Sequence, residues 1–223
     1  MVKLKNIITD PEFWFVLVFN FLIAIGYNNG IISQDTVIWI YFIQSVFIGL
    51  SNTIRMACLK TFTSDNFRIN NEEVNPTSNT KWSSAIFFTI HYGIFHLVYF
   101  IMLAVMSVGN GSKLDFRLVL INMMIIAGNT LISTWSNVLK DREEPPSIGS
   151  MFFTPYLRVF PMHLFLMAGM TLEQKFNVQI PILGAINIFY MFLGLKIVSD
   201  LAMHIVVQKS WRGKRIKPVG GYI

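Results

Sequence analysis

Six long apolar runs alternate with short polar segments along the chain. They cover approximately residues 11–27, 36–58, 83–107, 115–136, 155–172 and 181–207, so each holds about 17–27 residues. An α-helix needs about 20 apolar residues to cross a hydrocarbon core of about 30 Å. The pattern therefore predicts an all-α, polytopic membrane protein, a bundle of six transmembrane helices. Little chain is left over, so residues 1–223 are interpreted as a single transmembrane domain.

The positive charges lie mainly at one side of the predicted bundle. The net charge is +6, and thirteen Lys and Arg residues flank the run ends that share a side with both termini. Only Lys113, Arg117 and Lys175 flank the other ends. Cytoplasmic segments of membrane proteins carry an excess of Lys and Arg. We therefore expect a protein of the cell membrane with cytoplasmic N- and C-termini, surrounded by lipid bilayer and without a nucleic-acid partner.

The chain contains no familiar enzyme signature. Cys58 is the only cysteine, which excludes an intrachain disulfide and a paired-cysteine redox mechanism. Neither an HExxH zinc helix nor a GxSxG nucleophile elbow is present. The sequence gives no positive reason to expect an enzyme, and it does not name a substrate.

Several polar residues in the second run are interpreted as helix contacts. Gln44, Ser45, Gly49 and Asn52 recur at spacings that a helix brings close to one face. Small and polar residues on a membrane helix usually contact another helix. Tyr41, near the start of this run, suits the aromatic belt at the outer membrane interface.

Two prolines mark the fifth run. Thr154-Pro155 has the form of a helix start, since a proline there loses no hydrogen bond. Pro161 falls about two turns later and cannot donate to the carbonyl of Leu157, which predicts a helix break. In a membrane such breaks require another partner for the freed carbonyl. The segment Lys140–Pro146 before this run is predicted to be a solvated turn.

Ionisable and amide side chains inside the runs predict a polar pocket in the cytoplasmic half of the bundle. The candidate residues are Asn52, Arg55, His91, Arg158, His163, Lys196 and Asp200. Counting about 1.5 Å per residue from the run ends places His91 and His163 at a similar depth, about 12–14 Å from the cytoplasmic surface. Charged groups at membrane depth are expensive, so each is a functional hypothesis.

Three interpretations of these residues remain open. In the first, Asp200 pairs with Arg158 or Lys196 for stability alone, and the protein is a structural scaffold. In the second, the pocket binds or moves a small polar ligand or ion, with Pro161 as the helix break. In the third, His91 and His163 are ligands of a metal ion or haem iron in a membrane redox protein, since neutral imidazole is a common metal ligand.

Three stretches resemble a family of multi-spanning bacterial integral membrane proteins of unknown function. They are FFTIHYGIF (87–95), IQSVFIGLSN (43–52) and PYLRVFPMHLFLMAG (155–169), with FFxxHYGxF and PYxRxxxxH as the shared motifs. In that family an acidic residue often stands where this chain has Gln44. The family also has a second histidine late in the third span, which this chain replaces near Tyr99. The resemblance implies a multi-pass membrane protein and carries over no activity.

Overall fold

Six α-helices form most of the structure, a computed structural model that describes residues 11–64, 68–69, 72–109, 113–175 and 188–212. The helices are α1 (Pro11–Asn28), α2 (Gln34–Cys58), α3 (Ser78–Gly109), α4 (Phe116–Glu143), α5 (Ile148–Lys175) and α6 (Ile188–Arg212). Two short strands, β1 (Arg68–Ile69) and β2 (Glu72–Glu73), pair antiparallel between α2 and α3. The predicted all-α class is confirmed for these residues. The predicted start of the sixth run, residues 181–187, lies outside them.

The helix α2 lies at the centre and contacts α1, α3, α4 and α5. Its start is defined by Ser33, whose Oγ accepts a hydrogen bond from the backbone N–H of Thr36 at 3.2 Å, as an N-cap residue does. Its buried residues include apolar side chains and also Gln44, Ser45, Asn52 and Arg55. The polar residues of the bundle therefore have to find partners on the helices around α2.

Interhelical hydrogen bonds give the directions of the helices. Trp39 Nε1 donates to Ser107 Oγ at 3.1 Å, and the hydroxyls of Thr53 and Thr89 are 3.0 Å apart, so α2 and α3 are antiparallel. In contrast, Ser51 bonds Thr134, and Arg55 bonds Asp141, so α2 and α4 are parallel. The end of α2, the end of α4 and the start of α3 consequently share one side of the bundle.

The segment that follows α2 is held at this same side. The backbone N–H of Thr63 donates to the Pro146 carbonyl, and the Thr63 carbonyl accepts from the Ile148 N–H, both at 2.9 Å. These bonds fix the chain after α2 to the turn between α4 and α5. Two segments that are far apart in the sequence are therefore tied together at this side of the bundle.

α5 begins earlier than the sequence pattern predicts. The helix starts at Ile148 and runs through both Pro155 and Pro161, so the expected start at Thr154-Pro155 is wrong. A proline inside a helix leaves the carbonyl four residues earlier without its usual donor. For Pro155 that carbonyl belongs to Met151, and Asn52 Nδ2 of α2 donates to it at 2.9 Å. The helix tolerates Pro155 because a neighbouring helix supplies the missing hydrogen bond.

Among the described residues, three helices are long and apolar enough to cross a membrane, within Gln34–Cys58, Ser78–Val108 and Phe116–Glu143. Phe13–Asn28 is apolar but shorter. The outer surfaces carry large apolar side chains, for example Ile132 of α4 at 74% exposed and Val105 of α3 at 66%. Contiguous exposed apolar surface is rare on soluble proteins. Such helices suit a lipid environment.

Candidate functional site

A buried ion pair lies between α6 and its neighbours. Within α6, Lys196 Nζ is 2.5 Å from Asp200 Oδ2, and the two residues are 3% and 1% exposed. Lys196 Nζ also donates to Gln44 Oε1 of α2 at 3.1 Å and lies 5.0 Å from the centre of the Tyr41 ring. From α1, Asn20 Nδ2 donates to Asp200 Oδ2 at 3.1 Å. We call these five residues the Lys196 cluster.

The pairing within α6 follows directly from helix geometry. Residues four apart lie on one face of a helix, so the side chains of Lys196 and Asp200 meet without help from the tertiary structure. Taking both charges out of water is costly, and a buried pair is stable only when further hydrogen bonds satisfy its remaining groups. Gln44 and Asn20 each provide one such bond, from two different helices.

Several polar atoms are buried without a hydrogen-bond partner, and three of them belong to residues of the Lys196 cluster. Among the described residues these atoms are Asn20 Oδ1, Tyr41 Oη, Asp200 Oδ1 and Arg158 Nε. The first three belong to the Lys196 cluster, and Arg158 of α5 is close enough to interact electrostatically with Lys196. A buried polar group without a hydrogen bond costs about 1–3 kcal/mol. The cluster therefore has unused hydrogen-bonding capacity for a water molecule, an ion or a small ligand.

A second buried ion pair joins α2 to α4. Arg55 Nε and Nη2 donate to the two carboxylate oxygens of Asp141 at 3.0 and 3.1 Å. Asp141 is 4% exposed, so the prediction of a solvated turn there is wrong. The reason is that α4 continues to Glu143 and carries Asp141 against α2. Arg55 thus anchors the bundle at a place separate from Lys196.

A third polar group joins α2 to α3. The Ser45 hydroxyl is 3.1 Å from Tyr92 Oη and 2.9 Å from His96 Nε2, and the rings of Tyr92 and His96 stack at 4.2 Å. Tyr92 fits here because Gly49 has no side chain: a Cβ at Gly49 would lie 2.3 Å from Tyr92 Cε1. The predicted helix contacts of Ser45 and Gly49 are confirmed.

Two histidine–tyrosine pairs join α3 to α5. His91 Nδ1 is 2.7 Å from Tyr156 Oη, and Tyr99 Oη is 2.8 Å from His163 Nδ1. His163 is therefore level with Tyr99, eight residues beyond His91, or about 12 Å along the helix at 1.5 Å per residue. The predicted similar depth of His91 and His163 is wrong, because α5 begins earlier than expected and its register against α3 differs.

The structure separates most of the residues predicted to form one pocket. It brings Lys196 and Asp200 together, with Arg158 near them. Asn52 and Arg55 make interhelical bonds elsewhere, and His91 is exposed on the outside of α3. Within the described part of the chain, no group of three or more His, Cys, Asp or Glu side chains is arranged to hold a metal ion.

Sequence reasoning missed three members of the Lys196 cluster. Asn20 and Gln44 carried a usable signal, since each is an amide inside an otherwise apolar run. Tyr41 was expected at the outer interface but is 1% exposed, because α2 is surrounded by other helices. Nothing in the linear sequence indicates that these residues face Lys196.

Comparison with known proteins identifies the family. The model of a family of unknown function (DUF6498) matches residues 4–217, and the chain therefore belongs to that family. The resemblance to a family of unknown function is thereby confirmed. No curated protein and no solved structure matches the chain.

Proposed function

We propose that this member of the family is a six-span protein of the cell membrane whose Lys196 cluster binds or moves a small polar ligand or ion. The proposal is carried by one observation: a fully buried ion pair surrounded by polar atoms that have no partner among the described residues. Ionisable groups inside membrane helices are costly and commonly mark ion or substrate pathways.

The donor and acceptor roles of the atoms without a partner indicate which kind of ligand would fit. Asn20 Oδ1 and Asp200 Oδ1 accept hydrogen bonds, whereas Arg158 Nε donates one and the Tyr41 hydroxyl does either. Lys196 and Asp200 cancel each other's charge, and Arg158 adds a positive charge nearby. A ligand that both donates and accepts hydrogen bonds would satisfy these atoms, and the burial of Asn20, Tyr41 and Asp200 favours a small one.

Ligand-dependent thermal stability tests the proposal. We expect a panel of inorganic ions and small polar metabolites, applied to the purified protein in detergent, to contain a compound that raises the melting temperature. Binding to the native state alone stabilises a protein by an amount that rises with the logarithm of the ligand concentration once this exceeds the dissociation constant. The increase should disappear in Asp200→Asn, which alters the cluster, and persist in Asp141→Asn, which alters the other buried ion pair.

A milder variant provides a test in case Asp200→Asn does not fold. Tyr41→Phe removes a hydroxyl that has no hydrogen-bond partner, so it should leave the basal stability nearly unchanged. It should still weaken the effect of the compound. If no compound changes the melting temperature, or if Asp141→Asn abolishes the effect as fully as Asp200→Asn, the cluster is structural and the protein is a scaffold.

A further inference from the structure

A polar side chain lies on the outer surface of the bundle, among apolar neighbours. His91 is exposed, and so are Phe87 at 58%, Ile90 at 58% and Ile94 at 56%. His91 is ten residues beyond Lys81 on α3, which is about 15 Å at 1.5 Å per residue and about half of a hydrocarbon core. In the proposed membrane placement its imidazole is therefore at a depth where neither water nor lipid headgroups are available.

The imidazole of His91 forms a hydrogen bond with Tyr156 of α5. A neutral imidazole has one N–H donor and one acceptor nitrogen, and the phenol O–H is a good donor. Tyr156 Oη and His91 Nδ1 are 2.7 Å apart. We assign the phenol as the donor, which places the proton of the imidazole on Nε2. Within the described residues, Nε2 makes no hydrogen bond. An N–H donor thus faces the lipid side of the bundle and requires a hydrogen-bond acceptor.

Aromatic rings surround this donor. The Phe87 ring stacks on His91 at 5.5 Å with 14° between the planes, and the Phe95 ring meets it edge-on at 5.1 Å. Phe152 of α5 stacks on Phe87 at 5.7 Å. Aromatic rings prefer offset-stacked or edge-to-face neighbours, so this surface favours a flat ring over an aliphatic chain.

The side chains around His91 argue against a second copy of the helix as the occupant. Close helix pairs in membranes are enriched in Gly, Ala, Ser and Thr, which let the backbones approach. The neighbours of His91 on this face are Phe87, Ile90, Ile94 and Phe95, all of them bulky. The acceptor is better provided by a small, flat molecule that dissolves in the bilayer and has a carbonyl group.

We propose that His91 and the rings around it bind the headgroup of a lipid-soluble quinone taken from the bilayer. Nε2–H donates to one quinone carbonyl, while Tyr156 holds the imidazole in the donating orientation. The inference rests on the proposed placement of α3 and α5 in a membrane. It does not depend on the Lys196 cluster, which lies between α1, α2 and α6.

Binding of decylubiquinone to the chain in lipid nanodiscs tests this. His91→Phe keeps a ring and removes the donor, so we expect its dissociation constant for decylubiquinone to rise about tenfold, the effect of losing one hydrogen bond. Tyr156→Phe should weaken binding less, because the imidazole stays but loses its orientation. His163→Phe is the matched control, since it makes the same change at the other histidine–tyrosine pair of α3 and α5.

Decylbenzene, which has the chain and ring but no carbonyl, separates hydrogen bonding from apolar adsorption. It should bind the protein and His91→Phe equally. The proposal would be overturned if the unaltered protein and His91→Phe bound decylubiquinone with equal affinity. It would also be overturned if His163→Phe lost as much affinity as His91→Phe. The proposal would also be overturned if the protein bound no quinone and sedimentation showed that His91→Phe changes its oligomeric state. That result would identify a second copy of the chain as the occupant. The effect of Asp200→Asn on ligand-dependent melting is a separate measurement. The proposed ligand site at the Lys196 cluster and the proposed quinone site at His91 can therefore fail independently of each other.

Discussion

At the scale of single residues, buried amide side chains join neighbouring helices through hydrogen bonds. Asn52 donates to the Met151 carbonyl, which Pro155 leaves without its helical donor. Asn20 donates to Val16 O at 2.8 Å and to Asp200, which joins α1 to α6. A buried amide is costly unless it is bonded, so these residues specify which helices meet and in what register.

The link between Asn52 and Pro155 gives a testable coupling. Asn52→Ala should destabilise the protein by about 1–3 kcal/mol, because the Met151 carbonyl is left buried without a donor. In Pro155→Ala the helical N–H returns, so Asn52→Ala should cost clearly less in that background. Thermal unfolding of the two single variants and the double variant in detergent measures the coupling. Additive effects would show that Asn52 does not act through this carbonyl.

At the scale of the elements, small residues decide how closely two helices approach. α2 and α3 meet where Tyr92 lies against Gly49, and the Tyr92 hydroxyl also donates to the Ser45 carbonyl at 2.9 Å. α5 contacts α3 through its two histidine–tyrosine pairs instead. Both faces of α3 therefore carry polar contacts, and the close approach at a glycine is found on the face toward α2.

Two glycine substitutions separate packing from helix propensity. Gly49→Ala should destabilise the protein, because its Cβ would lie 2.3 Å from the Tyr92 ring and force it away from Ser45. A Cβ at Gly93 on α3 would have nothing within 4 Å. Gly93→Ala should therefore be neutral or stabilising, since alanine exceeds glycine in helix propensity by about 1 kcal/mol. Melting temperatures of the two variants provide the comparison. Equal values would mean that the contact does not limit the approach of the helices.

At the scale of the whole molecule, the basic residues and the helix directions agree. Lys60, Lys81 and Lys140 lie at the side of the bundle where α2 and α4 end and α3 begins. The turn after α1 and residues 113–115 before α4 lie at the opposite side. If the bundle crosses a membrane, the excess of Lys and Arg orients the first side toward the cytoplasm.

Cysteine labelling in intact cells tests this orientation. In a Cys58→Ser background, which removes the only native thiol, Asn29→Cys should react with a membrane-impermeant maleimide added outside. Asn75→Cys, in the connection from α2 to α3, should react only after the membrane is permeabilised. Both positions are exposed, so access depends on the side of the membrane and not on burial. The reverse pattern, or equal labelling of both, would contradict the proposed topology.

The sequence by itself determined the helices and one local contact. Apolar runs of hydrocarbon length form helices because every backbone group must be bonded within the run, and Lys196 meets Asp200 because they are four residues apart. Only the tertiary structure decided that Gln44 and Asn20 join that pair, that Asp141 is buried against Arg55, and that His91 faces outward. These outcomes depend on the rotation and register of each helix against its neighbours, which the order of residues along one chain does not specify.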